Sequence, residues 1–364
     1  INPNDAETHY NKGLALKLLG EIEEAIVSYS QSIKLNPNYA SAYNNLGNAL
    51  QYKGKTDDAI EAYKKSILLK PNFAKAHHNL SYTLLNCGKL YEGFNEYEWR
   101  WKQDKFLSQQ QQFLQPLWDG KESLKSKKIL IWSEQGIGDT IMWASRLSLL
   151  TSKSQRCILK CQEKLVPLFK RSFPKIDIIS KHSRKVSTKG DFDFHLPMGS
   201  LYKNFIKEIL QNPEVEPFLV PDPVKVKFWK GRLRSLGNGP YIGISWKSAN
   251  LSQKRLPNYC QIFELSPILK IDGVKFINLQ YVNFEEDLKK LKHQLGITVH
   301  NFDDLDHYDD IDNVSALCAA LDIVVSTKTT VPLISAGVGT LTKLANWRQS
   351  SWNNILLNPV GPAV

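Results

Sequence analysis

The first hundred residues repeat with a period of 34, and this period constrains the fold more than any other feature. Proline closes the first two units, at Pro37 and Pro71, because a proline ring cannot continue a helix. The recurring small residues let two helices approach closely, so each unit is predicted to be a pair of helices that stacks on the next. The equivalent positions are Gly13, Gly47 and Ser81; Gly20, Gly54 and Gly88; Ala25, Ala59 and Gly93; Tyr29, Tyr63 and Tyr97.

This pattern resembles the tetratricopeptide repeat, and three units are predicted over residues 1–102. In the third unit Trp99-Arg100-Trp101 replaces the expected proline turn, which is typical of a last repeat that docks on the next domain. The groove of such arrays commonly binds peptides, so the resemblance implies a protein or peptide partner. The candidate side chains are amides that either clamp a peptide backbone or simply face solvent: Asn11, Asn44, Asn45, Asn48 and Asn79.

From residue 127 onward, short apolar runs alternate with helical patterns. Such alternation predicts doubly wound parallel sheets, one over residues 127–222 and a second over 223–364. A linker over 103–126, pinned by Trp118, joins them to the repeats. Two Rossmann-like domains of this kind place a ligand crevice between the carboxyl ends of their sheets. The predicted strands are Lys128–Ser133, Cys157–Cys161, Ile176–Ser180, Phe192–Leu196, Tyr241–Trp246, Val274–Gln280, Ile297–Asn301, Asp322–Ser326 and Thr340–Leu344.

The first strand leads into the most informative loop of the chain. Ile129–Trp132 is an apolar run, the loop carries Gly136 and Gly138, and a helical pattern begins at Asp139. A strand that turns tightly into a helix collects backbone N–H groups at one spot, where anions bind. Two interpretations stay open: Asp139 is a carboxylate facing the crevice, or it is only a helix cap beside a tight turn.

The formal net charge is +11, and much of the excess lies in one segment. Thr151–Lys189 holds 11 Lys and Arg against Glu163 and Asp177. It is either a solvated basic face or a surface for an anionic partner. It lacks the interleaved aromatic residues of a base-stacking platform, so nucleic acid is disfavoured.

Composition also argues against several classes of protein. No apolar stretch approaches the roughly 20 residues that cross a bilayer, and no secretory signal is recognisable. The Asp-rich run Asp303–Asp312 does not have the spacing of a calcium loop, and no metal site is predicted. These features, together with five scattered cysteines expected to be reduced thiols, predict a cytoplasmic protein without a membrane span. The cysteines are Cys87, Cys157, Cys161, Cys260 and Cys318.

From about Gln115 onward the chain resembles bacterial tetratricopeptide proteins that carry a glycosyltransferase-B module. That module is similar to the lipopolysaccharide heptosyltransferase family and, more distantly, to O-linked N-acetylglucosamine transferase. The string Glu-Gln-Gly-Ile-Gly-Asp-Thr is its most specific part. The matching stretches are Pro116–Gly120, Glu134–Thr140, Phe192–Leu201, Gly243–Lys247 and Leu321–Gly339.

The resemblance implies an inverting, metal-independent glycosyltransferase that moves a sugar from a nucleotide diphosphate sugar to a protein, peptide or glycan. It makes Asp139 the general base, which takes the proton of the attacking hydroxyl. It places the donor at Lys247, Thr329 and Thr330, with further contacts from Gln280, Tyr281 and Lys328. It assigns these residues to the acceptor side and its loop: Glu134, Gln135, Gly136, Gly138 and His195.

The chain departs from that family at two positions. Lys328 stands where the family has Asp, and Leu333 stands where the family has a His that helps to bind the diphosphate. Leucine cannot donate a hydrogen bond. The alternative function is therefore a non-catalytic, protein-binding scaffold with a degenerate glycosyltransferase module, and a third is a binder of anionic polymers through Thr151–Lys189.

Overall fold

The computed structural model describes residues 4–107, 109–183, 190–249 and 259–345. The chain divides into two compact units, one ending at Gln111 and the other beginning at Gln112. We call them the repeat unit and the α/β unit.

The repeat unit is helical, as its period predicts. Glycines at the three turns have positive φ angles of 87°, 77° and 74°, a conformation that other residues adopt at a cost. A Cβ on Gly13 would lie 2.6 Å from the Tyr29 ring, and one on Gly47 would lie 2.7 Å from the Tyr63 ring. The small residues therefore do allow close helix pairing. The helices are α1 (Ala6–Leu19), α2 (Ile22–Leu35), α3 (Ala40–Tyr52), α4 (Thr56–Leu69), α5 (Ala74–Asn86), α6 (Leu90–Tyr97) and α7 (Asp104–Leu107).

The tryptophan-rich end of the third repeat packs on the repeat itself. Arg100 is fully buried, and its guanidinium lies 4.5 Å from the Tyr97 ring and 4.6 Å from the Trp101 ring. Trp99 stacks on His77 with ring centroids 3.7 Å apart. These contacts close the end of the repeat with aromatic surface in place of a proline turn.

The α/β unit contains two sheets, and every strand pair within them is parallel. The first sheet has the order β3-β2-β1-β4 and the second has the order β7-β6-β5-β8-β9. The strands are β1 (Lys128–Trp132), β2 (Arg156–Cys161), β3 (Ile176–Ser180), β4 (Phe194–Pro197), β5 (Tyr241–Ser245), β6 (Lys275–Asn278), β7 (Val299–His300), β8 (Ile323–Ser326) and β9 (Leu341–Leu344).

Helices connect most of these strands, as is usual for parallel pairing. They are α8 (Ile137–Ala144), α9 (Ser148–Thr151), α10 (Val166–Ser172), α11 (Leu201–Asn204), α12 (Ile206–Gln211), α13 (Pro223–Arg234), α14 (Ser266–Leu269), α15 (Glu285–Leu295), α16 (Ile311–Ala320) and α17 (Val331–Gly337). Among the described residues, no helix is long and apolar enough to cross a membrane.

The prediction of two parallel sheets is confirmed, and the errors lie at the ends of elements. Several strands are shorter than predicted, because the ladder stops where a neighbouring strand ends. Part of the predicted linker belongs to the first sheet. The Trp118 N–H donates to the His195 carbonyl at 2.9 Å, and the His195 N–H donates to the Pro116 carbonyl at 3.1 Å. Segment 116–118 therefore runs along β4 as an extra parallel edge.

Candidate functional site

Each sheet has a switch point where the strand order reverses, beside β1 in the first sheet and beside β5 in the second. Ligands of open parallel sheets bind at such points, outside the carboxyl ends of the strands. We call the segment after β1, residues 133–139, which includes the start of α8, the first exit loop. The segments after β5 and β8, residues 246–249 and 327–330, are the second exit loops.

The first exit loop is braced from below by Glu134. This carboxylate is 5% exposed and accepts the Gly199 N–H at 3.2 Å, which ties the exit of β1 to that of β4. The Gln135 carbonyl accepts the side-chain amide of Gln162 at 2.7 Å. Glu134 and Gln135 thus hold the loop in place.

Asp139 is the third residue of helix α8 and does not start the helix as the sequence predicts. The helix begins at Ile137 with Gly136 at its N-cap, and the Gly136 N–H donates to the Asp139 carboxylate at 3.2 Å. Glycine precedes the helix without strain, so the helix starts before the aspartate. The side chain of Asp139 turns back toward the exit loop and is half-buried.

The first exit loop forms the first wall of the site, and the second exit loops form the second wall. The two walls meet at Gly138. A Cβ on this glycine would lie 3.1 Å from Oγ1 of Thr330 and 3.5 Å from Leu333. Any side chain at this position would crowd the opposite wall. The switch points of the two sheets therefore lie against each other, with Asp139 next to the contact.

The loop after β8 supplies hydroxyl groups and one cation. Oγ1 of Thr329 accepts the Val331 N–H at 3.3 Å and lies 3.4 Å from the Ser326 hydroxyl. Lys328 is half-buried, and its burial lowers the pKa of its ammonium group from the usual value. A cation removed from water gains more than an exposed one from a nearby anion.

Gln280 locks the loop after β5. It is fully buried, and its Oε1 accepts the N–H groups of Trp246 and Lys247, both at 3.0 Å. Its Nε2 donates to the Lys247 carbonyl at 2.8 Å and to that of Val282 at 3.2 Å. Both ends of the amide are occupied by backbone, so this side chain fixes the wall. The neighbouring Tyr281 hydroxyl donates to the Ser248 hydroxyl at 2.9 Å.

Lys247 already has an acidic partner. Its ammonium group lies 2.5 Å from the Asp287 carboxylate, which also accepts the indole N–H of Trp246 at 2.9 Å. The pair borders an open cavity of about 580 Å³. An anion that binds Lys247 must compete with Asp287. The cavity is lined by Lys247, Asn283, Glu285, Glu286, Asp287 and Lys289.

His195 does not lie at a strand end. It pairs with Leu130 in the middle of β1, because β4 continues to Pro197. The indole N–H of Trp132 donates to its Nδ1 at 3.3 Å, and the Phe113 ring packs 4.7 Å away. Burial lowers the pKa of the imidazole. The structure places His195 within the packing around Trp132.

The basic segment Thr151–Lys189 is described up to residue 183, and several of its cations have acidic partners. Lys153 pairs with Glu208, and Arg156 pairs with Asp177. Two further cations join the sheets of the α/β unit. They form the pairs Lys164–Asp309 and Arg171–Asp312, and Asp312 also binds Lys225 at 2.8 Å.

The asparagines of the repeat unit form a hydrogen-bonded chain between repeats. Asn79 donates to Asn44 at 2.9 Å, Asn44 to Asn45 at 3.2 Å, and Asn45 to the Tyr10 hydroxyl at 3.0 Å. The Asn48 oxygen accepts the Tyr63 hydroxyl at 3.1 Å. These contacts join α1, α3 and α5, while Asn11 is exposed on α1.

Sequence reasoning missed Asp287, Asp312 and the pairing of Lys164 and Arg171. Each partner lies 40 or more residues away along the chain, so no local spacing reveals it. Among the residues that the structure describes, no group of three or more His, Cys, Asp and Glu side chains is placed to hold a metal ion.

Comparison with known proteins identifies the repeats. Residues 13–54 match the family described as TPR repeat, and residues 40–73 match the one described as tetratricopeptide repeat. The crystal structure of MamA is 29% identical, covers 30% of this chain and 64% of its own, and has a TM-score of 0.28. The first TPR of Spaghetti (RPAP3) bound to an HSP90 peptide is 20% identical, covers 29% of this chain and 83% of its own, and has a TM-score of 0.27.

A longer similarity links the chain to Protein FlbA of Caulobacter vibrioides (strain ATCC 19089 / CIP 103742 / CB 15). The two are 31% identical over 282 residues, which cover 71% of this chain and 46% of FlbA. The match is longer than the repeat unit, so it extends into the α/β unit. The chain spans about half the length of this curated relative. What the comparisons establish is that residues 13–73 carry tetratricopeptide repeats.

Proposed function

We propose that the α/β unit is an inverting, metal-independent glycosyltransferase of the glycosyltransferase-B fold. The observation that supports this most is the meeting of the two switch points. It brings Gly138, the residue before the Asp139 carboxylate, against Thr330 in the hydroxyl-bearing turn of Thr329 and Thr330. One wall then offers a base, and the other offers groups that bind a diphosphate.

The proposed reaction is a single displacement at the anomeric carbon of a nucleotide diphosphate sugar. Asp139 takes the proton from the acceptor hydroxyl while that oxygen forms the new bond to carbon. The bond from carbon to the diphosphate breaks on the opposite face, so the configuration inverts. Lys328 and the threonine hydroxyls stabilise the charge that develops on the leaving diphosphate.

The repeats supply the acceptor in this proposal. The asparagine chain fixes the side chains of α3 and α5, while Asn11 stays exposed for a partner. Side chains already held in one conformation lose less entropy when a peptide binds. A protein or peptide acceptor is therefore favoured over a free sugar.

The test is turnover with a panel of uridine, guanosine and adenosine diphosphate sugars. Asp139→Asn keeps an oxygen for the Gly136 N–H but cannot accept the proton. We expect turnover to fall at least about 100-fold while nucleotide affinity stays unchanged. Asp222→Asn is the matched control, because Asp222 also caps a helix, α13, through the Val224 N–H. Full activity of Asp139→Asn rules out this mechanism.

A non-catalytic scaffold is the second candidate, and Leu333 is the observation that favours it. Leu333 lines an apolar gap of about 10 Å³ with Ile141 and Met142 of the opposite wall. Apolar contact at this position stabilises the packing of the two walls against each other and provides no hydrogen bond to a phosphate. Calorimetry with the same panel separates the candidates, because a scaffold shows no saturable nucleotide binding.

A further inference from the structure

Helix α13 is the most basic element of the described chain. Its twelve residues, PVKVKFWKGRLR, include five Lys or Arg and no acid. Two of the five have partners: Lys225 binds Asp312, and Arg232 binds Asp304. No carboxylate of the described residues pairs with Lys227, Lys230 or Arg234.

The outer face of the same helix is apolar between these cations. The inner face packs through Leu233 and Trp229, whose indole N–H donates to Asn313 at 3.2 Å. On the opposite side Val224 is 75% exposed and Phe228 is 52% exposed. Residues three, four and seven apart share one side of a helix. The outer face therefore combines Val224, Lys227, Phe228, Gly231 and Arg234.

The helix is held rigidly before any partner arrives. Asp222 caps its first turn by accepting the N–H groups of Val224 and Lys225, at 2.8 and 3.3 Å. The Arg232 guanidinium lies against the rings of Trp229 and Phe302. Docking through the outer face requires no folding step, so little entropy is lost.

We propose that the outer face of α13 docks on an anionic lipid surface. Lys and Arg near such a surface are attracted to its headgroups. Burial of Val224 and Phe228 is favourable only if an apolar layer lies beneath the charged headgroups, as it does in a bilayer interface. A phosphate backbone or an acidic polymer offers no such layer. This inference does not rest on the proposed enzymatic function.

The surface differs from the basic segment that the sequence points to. In Thr151–Lys189, Lys164 and Arg171 are engaged by acids of the second sheet's domain, and Lys153 and Arg156 are engaged by Glu208 and Asp177. Cations that already neutralise carboxylates contribute little to an outside partner. By contrast, α13 combines three cations that no described carboxylate pairs with and two exposed apolar side chains, Val224 and Phe228.

The experiment is co-sedimentation of the whole chain with vesicles of phosphatidylcholine alone and of phosphatidylcholine mixed with phosphatidylglycerol. We expect binding to the anionic vesicles only. Neutralising the two cations of the outer face in K227Q/R234Q should weaken binding about 30-fold. The matched control is K64Q/K65Q, which removes the same charge from exposed positions on α4 and should bind as the unchanged chain does.

A third variant separates lipid from other polyanions. Phe228→Ser should weaken vesicle binding without changing its salt dependence, because it removes an apolar contact and no charge. Heparin and duplex DNA serve as competing arms. The proposal is overturned if the chain binds neutral and anionic vesicles equally, or if both double variants weaken binding equally. It is also overturned if Phe228→Ser binds vesicles as tightly as the unchanged chain and the chain still binds heparin. Circular dichroism confirms that each variant is folded.

Discussion

The first and second sheets place their strands in the same order around the switch point, but the groups at their exits differ in charge and in support. The first exit loop carries two carboxylates, the buried Glu134 and the half-buried Asp139. The second exit loops present cations and hydroxyls, including Lys247, Lys328 and Thr330. Topology fixes where these walls meet, and the loop residues decide which ligand charge each wall accepts.

The two walls also differ in how their loops are fixed. Glu134 ties the first exit loop to the Gly199 N–H of the neighbouring strand exit. Gln280 binds backbone groups of Trp246, Lys247 and Val282 through both ends of its amide. A buried amide with all these partners has no low-energy alternative position. We therefore expect the second wall to tolerate substitution of its brace poorly.

The largest predicted effect is that of Gln280→Ala. Removal of this amide takes the Gln280 partner from two backbone N–H groups and two backbone carbonyls, and each buried group left unpaired costs about 1–3 kcal/mol. We expect the free energy of unfolding of the α/β unit to fall by about 3–4 kcal/mol, as measured by denaturant titration of tryptophan fluorescence. Gln294→Ala is the control, because Gln294 is exposed on α15 and should change stability by less than about 0.5 kcal/mol. Equal losses in the two variants would mean that Gln280 does not brace the loop.

A smaller effect is expected at Asp312, which joins the two domains that carry the walls. Burial acts to raise the pKa of this carboxyl, but hydrogen bonds from Lys225 and Arg171 outweigh it and leave the pKa below its usual value. A lowered folded-state pKa means that the stabilisation is present above the ordinary carboxyl pKa and is lost as pH falls through the folded value. Asp312→Asn should therefore cost about 2 kcal/mol at pH 7.

The pH dependence provides the check on Asp312. The difference in unfolding free energy between the unchanged chain and Asp312→Asn should hold from pH 7 to about pH 4 and shrink below it. Asp177→Asn removes a carboxylate from the Arg156 pair, in which both side chains are about half exposed. This control should cost less than about 1 kcal/mol. A difference that grows as pH falls would contradict the assignment.

Local spacing predicts most of the fold. The 34-residue period predicts the repeat helices because each recurring small residue has a local packing reason, as the Gly13–Tyr29 contact shows. Alternation of apolar runs predicts parallel strands because β1 is buried on both faces, and its four apolar residues are at most 1% exposed. Helix starts were less predictable, since Gly136 competes with Asp139 for the cap.

Local sequence predicts the place of a residue near the exits only where the end of a strand fixes that place. Thr330 lies on the loop after β8, where the strand end predicts it, whereas Gly138 lies in the first turn of α8 and not in the loop that precedes this helix. The partners of Lys247 and Arg171 were not foreseen, because Asp287 and Asp312 come from other elements. Gln280 has the sequence position of a ligand contact, but its burial shows that it binds backbone. Tertiary pairing, which no local pattern encodes, accounts for these differences.

The smallest effect tests the charge of the second wall itself. Asp287 occupies the ammonium group of Lys247 at 2.5 Å, with both side chains 22–23% exposed. Asp287→Asn keeps an oxygen for the Trp246 indole but removes the competing charge, so a diphosphate gains Lys247 without displacing a carboxylate. A partly exposed pair contributes about 1 kcal/mol, which predicts about fivefold tighter binding of uridine, guanosine or adenosine diphosphate. Isothermal titration of each nucleotide measures this change.

Asp272→Asn makes the same charge change at an exposed position and should leave affinity unaltered. Weaker binding by Asp287→Asn would show that the carboxylate orients Lys247 for the ligand, and the second wall would then need an acid of its own to bind an anion.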